Sequence, residues 1–197
     1  MKKMLVVLAL AMFSFANAQK GSILVMGSIE YDSQKVSNSG TEFKNSYFGF
    51  APKVGYQFHQ NWTAGIEAGV GTETTEFVNN TERKDNNFSL GGFLRYSKPL
   101  NQTFSAYADL GVGYQSTKTT TETGAFSSTT NKGDGFYIGV TPAIFINVNK
   151  GFGLNFNIGG LGYNTLNFDG NNGNGDNVKN FAFTFGKAFS VGISKNF

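Results

Sequence analysis

The fold is decided in the stretch SYFGFAPKVGYQFHQNWTAGIEAGV, which spans residues 46–70. Every second residue is apolar on either side of a His-Gln-Asn tripeptide at 59–61. The apolar positions are Phe48, Phe50, Pro52, Val54, Tyr56 and Phe58, followed by Trp62, Ala64, Ile66, Ala68 and Val70. A period of two is that of a β-strand, in which successive side chains point to opposite faces. Two such runs around a short connection predict an antiparallel β-hairpin with one apolar face.

The same alternation recurs about eight times along the chain, and no segment after Gln19 shows a helical period. We predict strands near residues 22–32, 46–58, 62–70, 88–96, 104–114, 136–146, 152–158 and 181–193. The composition agrees, because 26 glycines and 15% aromatic residues favour strands and turns. The absence of cysteine excludes a disulfide framework and a thiolate metal site. A mean hydropathy of −0.22 excludes a bundle of membrane-spanning helices.

The connections between these strands alternate in length. Three are tight, at residues 59–61, 98–102 and 148–151. Four are long and rich in Asn, Thr, Ser and Gly, at residues 33–45, 74–87, 116–134 and 164–179. Short turns at one end and long polar loops at the other are typical of an outer-membrane barrel. The predicted fold is therefore all-β, an eight-stranded antiparallel up-and-down transmembrane β-barrel.

The first residues have the features of a cleaved export signal. A basic start at Lys2 and Lys3 precedes an apolar stretch at 4–15 and the tripeptide Ala16-Asn17-Ala18. We therefore predict a signal peptide at 1–18 and an outer-membrane barrel domain at 19–197. The whole chain has 16 basic and 13 acidic residues, and removal of Lys2 and Lys3 leaves 14 and 13, a net charge of +1. Such a balance does not favour nucleic acid as a partner.

Alternation alone does not decide which face of the sheet meets lipid. Small and polar residues on one face suit a narrow lumen filled by side chains, and the predicted export signal agrees with an outer-membrane location. Aromatic residues gather at the strand ends, as in the girdles at membrane interfaces. The predicted girdle comprises Tyr56, Phe58, Trp62, Phe104, Phe136, Phe152 and Phe197. The alternative is a soluble exported barrel that binds a ligand in an apolar lumen.

Two further segments carry a resemblance to a known family. The C-terminal run Phe189, Val191, Ile193 and Phe197 resembles the assembly signal of bacterial outer-membrane barrels. The segments FAPKVGY at 50–56 and FLRY at 93–96 resemble a small, porin-like barrel family common in Bacteroidetes-type bacteria, similar to OmpA-like and OmpX-like barrels. The resemblance implies contact with outer-membrane lipid, with lipopolysaccharide and with the barrel assembly machinery.

One lysine conflicts with strict alternation. Lys187 would point at lipid, which costs about 2–4 kcal/mol near the bilayer midplane. We therefore expect either a bulge near Gly186 or a position close to the outer interface.

Charged residues are predicted to meet on the polar face. A turn centred on Gln60 places Lys53 opposite Glu67, and a connection centred at 80–81 places Arg95 beside Glu67. Burial makes pairing of such charges close to obligatory. Tyr107 and Asp109 on the next strand are near enough to join. The row is either a polar plug that fills the barrel and sets its register, or a gate that opens when the row rearranges.

The sequence shows no catalytic set and predicts no cofactor. The only histidine, His59, lies in a tight turn without a nucleophile partner, which disfavours a lipid-modifying enzyme. A Gly/Asn/Asp segment at 169–176 lacks the terminal glutamate of a calcium loop, and a flexible polar loop is preferred. We expect a non-enzymatic protein with a structural or surface-interaction role through four long extracellular loops that contact an extracellular or host ligand. A narrow passive channel is the alternative.

Overall fold

A computed structural model describes residues 21–38, 41–77, 81–123, 127–169 and 175–197. The predicted signal peptide at 1–18 lies outside these residues. Eight antiparallel strands follow one another as neighbours and close into a barrel. Their bounds are β1 (Ile23–Asn38), β2 (Thr41–His59), β3 (Trp62–Phe77), β4 (Thr81–Pro99), β5 (Phe104–Thr123), β6 (Ser127–Asn149), β7 (Phe152–Phe168) and β8 (Asn177–Asn196). Among the described residues, no helix is long and apolar enough to cross a membrane.

The four long connections predicted as loops are largely strand, and that part of the prediction is wrong. β1 and β2 stay paired up to Asn38 and Thr41, and β5 and β6 up to Thr123 and Ser127. The polar composition of these segments shows exposure, but it does not prevent backbone pairing, and threonine favours strands. The three tight connections are present where predicted, at residues 60–61, 100–103 and 150–151.

The outer and inner faces of the barrel wall differ in composition as the alternation predicts. The apolar residues at the alternating positions of each predicted strand point outward, and Ile29, Ile66 and Phe136 are more than 60% exposed there. The inward face is built from glycine, small polar residues and a few large side chains. The buried residues gather at the end of the barrel that carries the short turns; among those outside the charged groups are Leu24, Thr63, Phe93, Tyr107, Ala143, Asn155 and Ser194.

β8 contains an irregularity close to Gly186. The β7–β8 register changes between the pairs Asn157–Ser190 and Gly159–Phe185, so four residues of β8 lie opposite one residue of β7. Gly186 has a φ of 70°, which glycine adopts without strain. Of the two alternatives predicted for this region, the bulge is the one found. The side chain of Lys187 itself lies outside the described residues.

Candidate functional site

Four charged side chains meet inside the barrel near its short-turn end. They are Lys53 of β2, Glu67 of β3, Arg95 of β4 and Asp109 of β5, hereafter the charged layer. Each occupies an inward position of its strand because it alternates with the outward apolar residues. Four consecutive strands therefore each contribute one charge to one level of the lumen.

Arg95 and Asp109 form the most buried pair of the charged layer. The two residues lie directly opposite each other in the β4–β5 register. Arg95 Nε donates to Asp109 Oδ1 at 2.6 Å, and Arg95 Nη2 donates to Asp109 Oδ2 at 2.9 Å. The side chains are only 6% and 4% exposed. This two-point geometry is the strong form of an arginine–carboxylate contact.

Lys53 joins the two carboxylates of the charged layer. Its Nζ lies 2.6 Å from Glu67 Oε2 and 3.2 Å from Asp109 Oδ2. Asp109 is thus shared by both cations, and two positive charges balance two negative ones. Because burial of an unpaired charge is costly, this balance allows the group to exist inside the barrel.

Of the two neighbours predicted for Glu67 in the charged row, Lys53 is correct and Arg95 is wrong. Lys53 lies opposite Glu67, as the turn at Gln60 predicts. Arg95 does not lie beside Glu67: Glu67 faces Gly91, and Arg95 faces Thr63. The reason is the position of the β3–β4 connection, which is centred at residue 79 rather than at 80–81 because Phe77 pairs with Thr81. A displaced turn shifts every pair of a hairpin.

Aromatic rings pack against the two cations. The Arg95 Cζ atom lies 3.7 Å from the centre of the Tyr107 ring. The Lys53 Nζ atom lies 5.3 Å from the centre of the Phe93 ring. Cation–π contacts of this kind add to the ion pairs. Phe93 is absent from the predicted row, although its odd number places it on the same inward face as Arg95.

Hydrogen bonds connect the charged layer, and the Tyr107 ring that packs on it, to β6, β7 and β8. Tyr137 of β6 donates its hydroxyl to Glu67 Oε1 at 2.8 Å. Tyr107 donates to Asn155 Oδ1 of β7 at 3.0 Å, and Asn155 Nδ2 donates to Ser194 Oγ of β8 at 2.8 Å. Tyr137 is likewise absent from the predicted row. Its position between the outward residues 136 and 138 is the sequence feature that indicates an inward side chain.

Glycines on the inward face make room for these large side chains. A Cβ at Gly111 would lie 2.5 Å from Glu67 Oε1, and a Cβ at Gly91 would collide with the Tyr137 hydroxyl. Large side chains of one strand therefore fill the space left by glycines of another. With this complementary packing, large side chains occupy the lumen at the level of the charged layer.

The lumen is more open on the other side of the charged layer. A cavity of about 290 Å³ lies there, with Glu30, Tyr47, Asn87 and Gln115 among its lining residues. Its wall is mostly small or polar. Among the described residues, every buried side-chain nitrogen or oxygen has a hydrogen-bond partner. The charged layer is thus saturated by its own contacts, which suits a structural plug.

The aromatic residues predicted to form girdles lie at two rims. All seven are exposed. Trp62 packs edge-to-face on Tyr96 at the short-turn rim, with ring centres 5.0 Å apart. Phe136 instead lies at the opposite rim, 6.3 Å from the ring of Tyr114. Those at the short-turn rim are Tyr56, Phe58, Trp62, Phe104, Phe152 and Phe197.

The C-terminal run is described only in part. Ile193 and Phe197 are exposed, whereas the side chains of Phe189 and Val191 lie outside the described residues. The backbone of Phe197 exchanges hydrogen bonds with Ile23, which anchors the chain end to β1. The role of the run as an assembly signal stays a prediction.

Among the described residues, neither a metal-binding group nor His59 forms a second candidate site. Among the described residues, no three His, Asp or Glu side chains lie close enough together to hold a metal ion. Most of the segment at 169–176, weighed above as a calcium loop, lies outside the described residues. His59 is exposed at the end of β2.

Comparison with known proteins gives the same architecture. The family model described as "Outer membrane protein beta-barrel domain" matches residues 5–189. No curated protein matches the chain. A major outer membrane protein from Thermus thermophilus superposes with a TM-score of 0.55 at 13% identity, covering 90% of this chain and 99% of that one. OprG from Pseudomonas aeruginosa superposes with a TM-score of 0.52 at 14% identity, covering 90% and 96%. At such identities, the likeness shows the fold.

Proposed function

Because this chain belongs to the outer membrane protein beta-barrel domain family and lies in the outer membrane, we propose that it is a non-enzymatic surface protein that contacts extracellular partners. The observation that carries the proposal is the extension of the strands beyond the apolar belt. In the proposed orientation the short turns face the periplasm and the extended strand pairs face the exterior, as is usual for such barrels.

The extension is best seen in β5 and β6. Their outward apolar residues end at Tyr114 and Phe136, but the pairing continues from Gln115–Gly135 to Thr123–Ser127. These nine pairs span roughly 30 Å along the strands. Polar residues held on a paired sheet form a preorganised surface, which lowers the entropic cost of binding.

The outward face of this extension carries charges of both signs. Lys84 and Lys118 alternate with Glu82 and Glu122 above the rim of β4 and β5. In the proposed orientation these lysines support contact with lipopolysaccharide phosphates, and the mixed charge suits a polar extracellular ligand. The two aromatic rims support a girdle at each interface, and the C-terminal run supports recognition by the assembly machinery.

Conductance measurements distinguish the plug from the gate. We expect the wild-type protein and the Glu67→Gln variant to give equally small currents in planar bilayers, because Arg95, Asp109 and the aromatic rings still close the lumen. Glu67→Gln keeps the size of the side chain while it removes its charge. Discrete channels whose size changes in Glu67→Gln would instead support the narrow passive channel.

Surface exposure of the extended strands is tested with single cysteines, since the natural chain contains none. We expect a membrane-impermeant maleimide to label Thr120→Cys on intact cells. The matched control, Gln60→Cys in a short turn, should be labelled only after permeabilisation. Labelling in the reverse pattern would overturn the proposed orientation and, with it, the surface role.

Binding itself is tested by shortening the extension. Replacement of residues 117–133 by Asn-Gly joins Ser116 to Asp134, which form a pair in the native register, through a favoured hairpin turn. We expect the barrel to fold but cells that display it to lose binding to immobilised matrix proteins and glycans. Equal binding of both forms to every surface in the panel would contradict the surface-interaction role.

A further inference from the structure

Among the described residues, a hydrogen-bonded ladder joins the first and last strands over only a short part of their shared boundary. β1 and β8 pair through four residues each, from Leu24–Asn196 to Gly27–Ile193. Within the described residues, β1 continues from Ser28 to Asn38 in pairs with β2 alone. The corresponding part of β8 pairs with β7 alone. The boundary beyond Gly27, hereafter the seam, therefore lacks a hydrogen-bonded ladder.

The bulge in β8 lies at the level where the ladder ends. The four-against-one irregularity of β8 falls between Ser190 and Phe185. Continuation of the β1–β8 register would bring Ile29 opposite Val191, immediately before this irregularity. Gly159 of β7, across from the bulge, has a φ of 118°. Bulges bend the strand that carries them and end pairing.

The seam passes through the apolar belt. Ile29 and Tyr31 on β1 are 70% and 73% exposed, and Phe181, Phe183 and Phe185 on β8 are exposed as well. Backbone groups without a partner are very costly in hydrocarbon, but they are tolerated where they line a water-filled cavity. The seam thus requires water, or a polar ligand group, behind its apolar edges.

A cavity of the required kind lies behind the seam. It has a volume of about 510 Å³ and is lined by Glu30 of β1 and by residues of β6, β7 and β8, Asn164 and Thr184 among them. Its wall is built largely of glycine and polar residues. Among the described residues that line it, Glu30 is the only charged one. The cavity therefore combines an acidic interior with a mouth between apolar edges.

We propose that the seam is a lateral opening through which a small amphipathic molecule with a primary ammonium head enters the lumen from the lipid. The ammonium group contacts the Glu30 carboxylate, and the alkyl part stays between the apolar edges of β1 and β8. Charge complementarity selects an amine over a carboxylate head. In the orientation proposed above the opening faces the outer leaflet; the opening itself does not depend on the surface role.

Engineered disulfides test the opening. Val25 pairs with Lys195, and four residues further along the same register Ile29 would meet Val191. We expect Val25→Cys with Lys195→Cys to form a disulfide on mild oxidation in vesicles, and Ile29→Cys with Val191→Cys not to form one. The two pairs have the same parity in the ladder and differ only in position. Equally fast cross-linking of both pairs would show a closed wall and overturn the proposal.

A fluorescent label tests access and the ligand. Thr184→Cys carries the label in the seam cavity, and Ser89→Cys carries it on an inward position of β4, among the lining residues of the other cavity. We expect brominated phospholipid to quench the label at 184 and not at 89. Octylamine should change the emission at 184 with a saturable dependence that octanoate does not reproduce. The added substitution Glu30→Gln should weaken the octylamine response about tenfold.

Two outcomes would overturn the proposal. Equal quenching at both positions would show that the seam gives lipid no special access. A linear response, equal for octylamine and octanoate and unchanged by Glu30→Gln, would show partition into the bilayer only. Neither result bears on the labelling of Thr120→Cys on intact cells, so failure of this inference and failure of the surface role are distinguishable.

Discussion

Replacement of Asp109 by asparagine is expected to lower the free energy of unfolding by about 3–5 kcal/mol. The substitution removes the carboxylate that Arg95 and Lys53 share, and it leaves the Arg95 guanidinium buried without its partner. Unfolding by urea in lipid vesicles can be followed through Trp62, the only tryptophan of the chain. The Trp62 side chain is exposed on the outside of the short-turn rim, whereas that of Asp109 is buried in the lumen.

Two controls assign this loss to the buried pair. Asp85→Asn removes a carboxylate from an ion pair with the exposed Arg83, and it should cost about 0–1 kcal/mol. The double variant Arg95→Met with Asp109→Leu replaces both partners by apolar residues and should recover much of the stability. A loss of less than about 1 kcal/mol for Asp109→Asn alone would contradict a closed, charged layer.

Replacement of Ile66 by arginine is expected to cost about 2–4 kcal/mol, because Ile66 is the middle residue of the outward apolar run of β3 from Trp62 to Val70, and the charge would face the hydrocarbon there. Ile66 is 64% exposed on the barrel exterior, so no packed core is disturbed. The same unfolding experiment in vesicles measures the effect. The variant should also insert less efficiently into preformed bilayers.

Leu100→Arg is the matched control. Leu100 is 59% exposed, but it lies in the short connection between β4 and β5, beyond the girdle. A charge near the interface costs about 0–1 kcal/mol. If the two substitutions had equally small effects, the exterior would not face lipid, and a soluble barrel would regain support.

Much of the fold could be predicted because its signal is local. The outward faces of β2 and β3 follow from the alternation on either side of His59, and the pairing of Lys53 with Glu67 follows from a turn of two residues. Short turns leave little freedom in register. The strand ends at the long connections could not be predicted in the same way. Polar residues on exposed, paired strands have the same composition as those of a loop.

The charged layer could be predicted only in part. The alternation places Arg95, Asp109 and Tyr107 on the lumen face, but the partner of Arg95 depends on a turn centre that the sequence misplaces by one to two residues. Tyr137 and Glu67 meet across the lumen from strands that are not neighbours in the sheet. Hairpin register does not predict such a contact, because it relates only residues on adjacent strands.

The sequence by itself determined the number of strands, the face of each that is apolar and the sites of the tight turns. These depend on a period of two and on turn residues, which act within a few positions of the chain. Only the tertiary structure decided which charges touch, how far the strands extend past the belt, and where β1 and β8 part. Those features arise from closure of the barrel, which brings inward side chains from distant parts of the chain to one level and places the last strand beside the first.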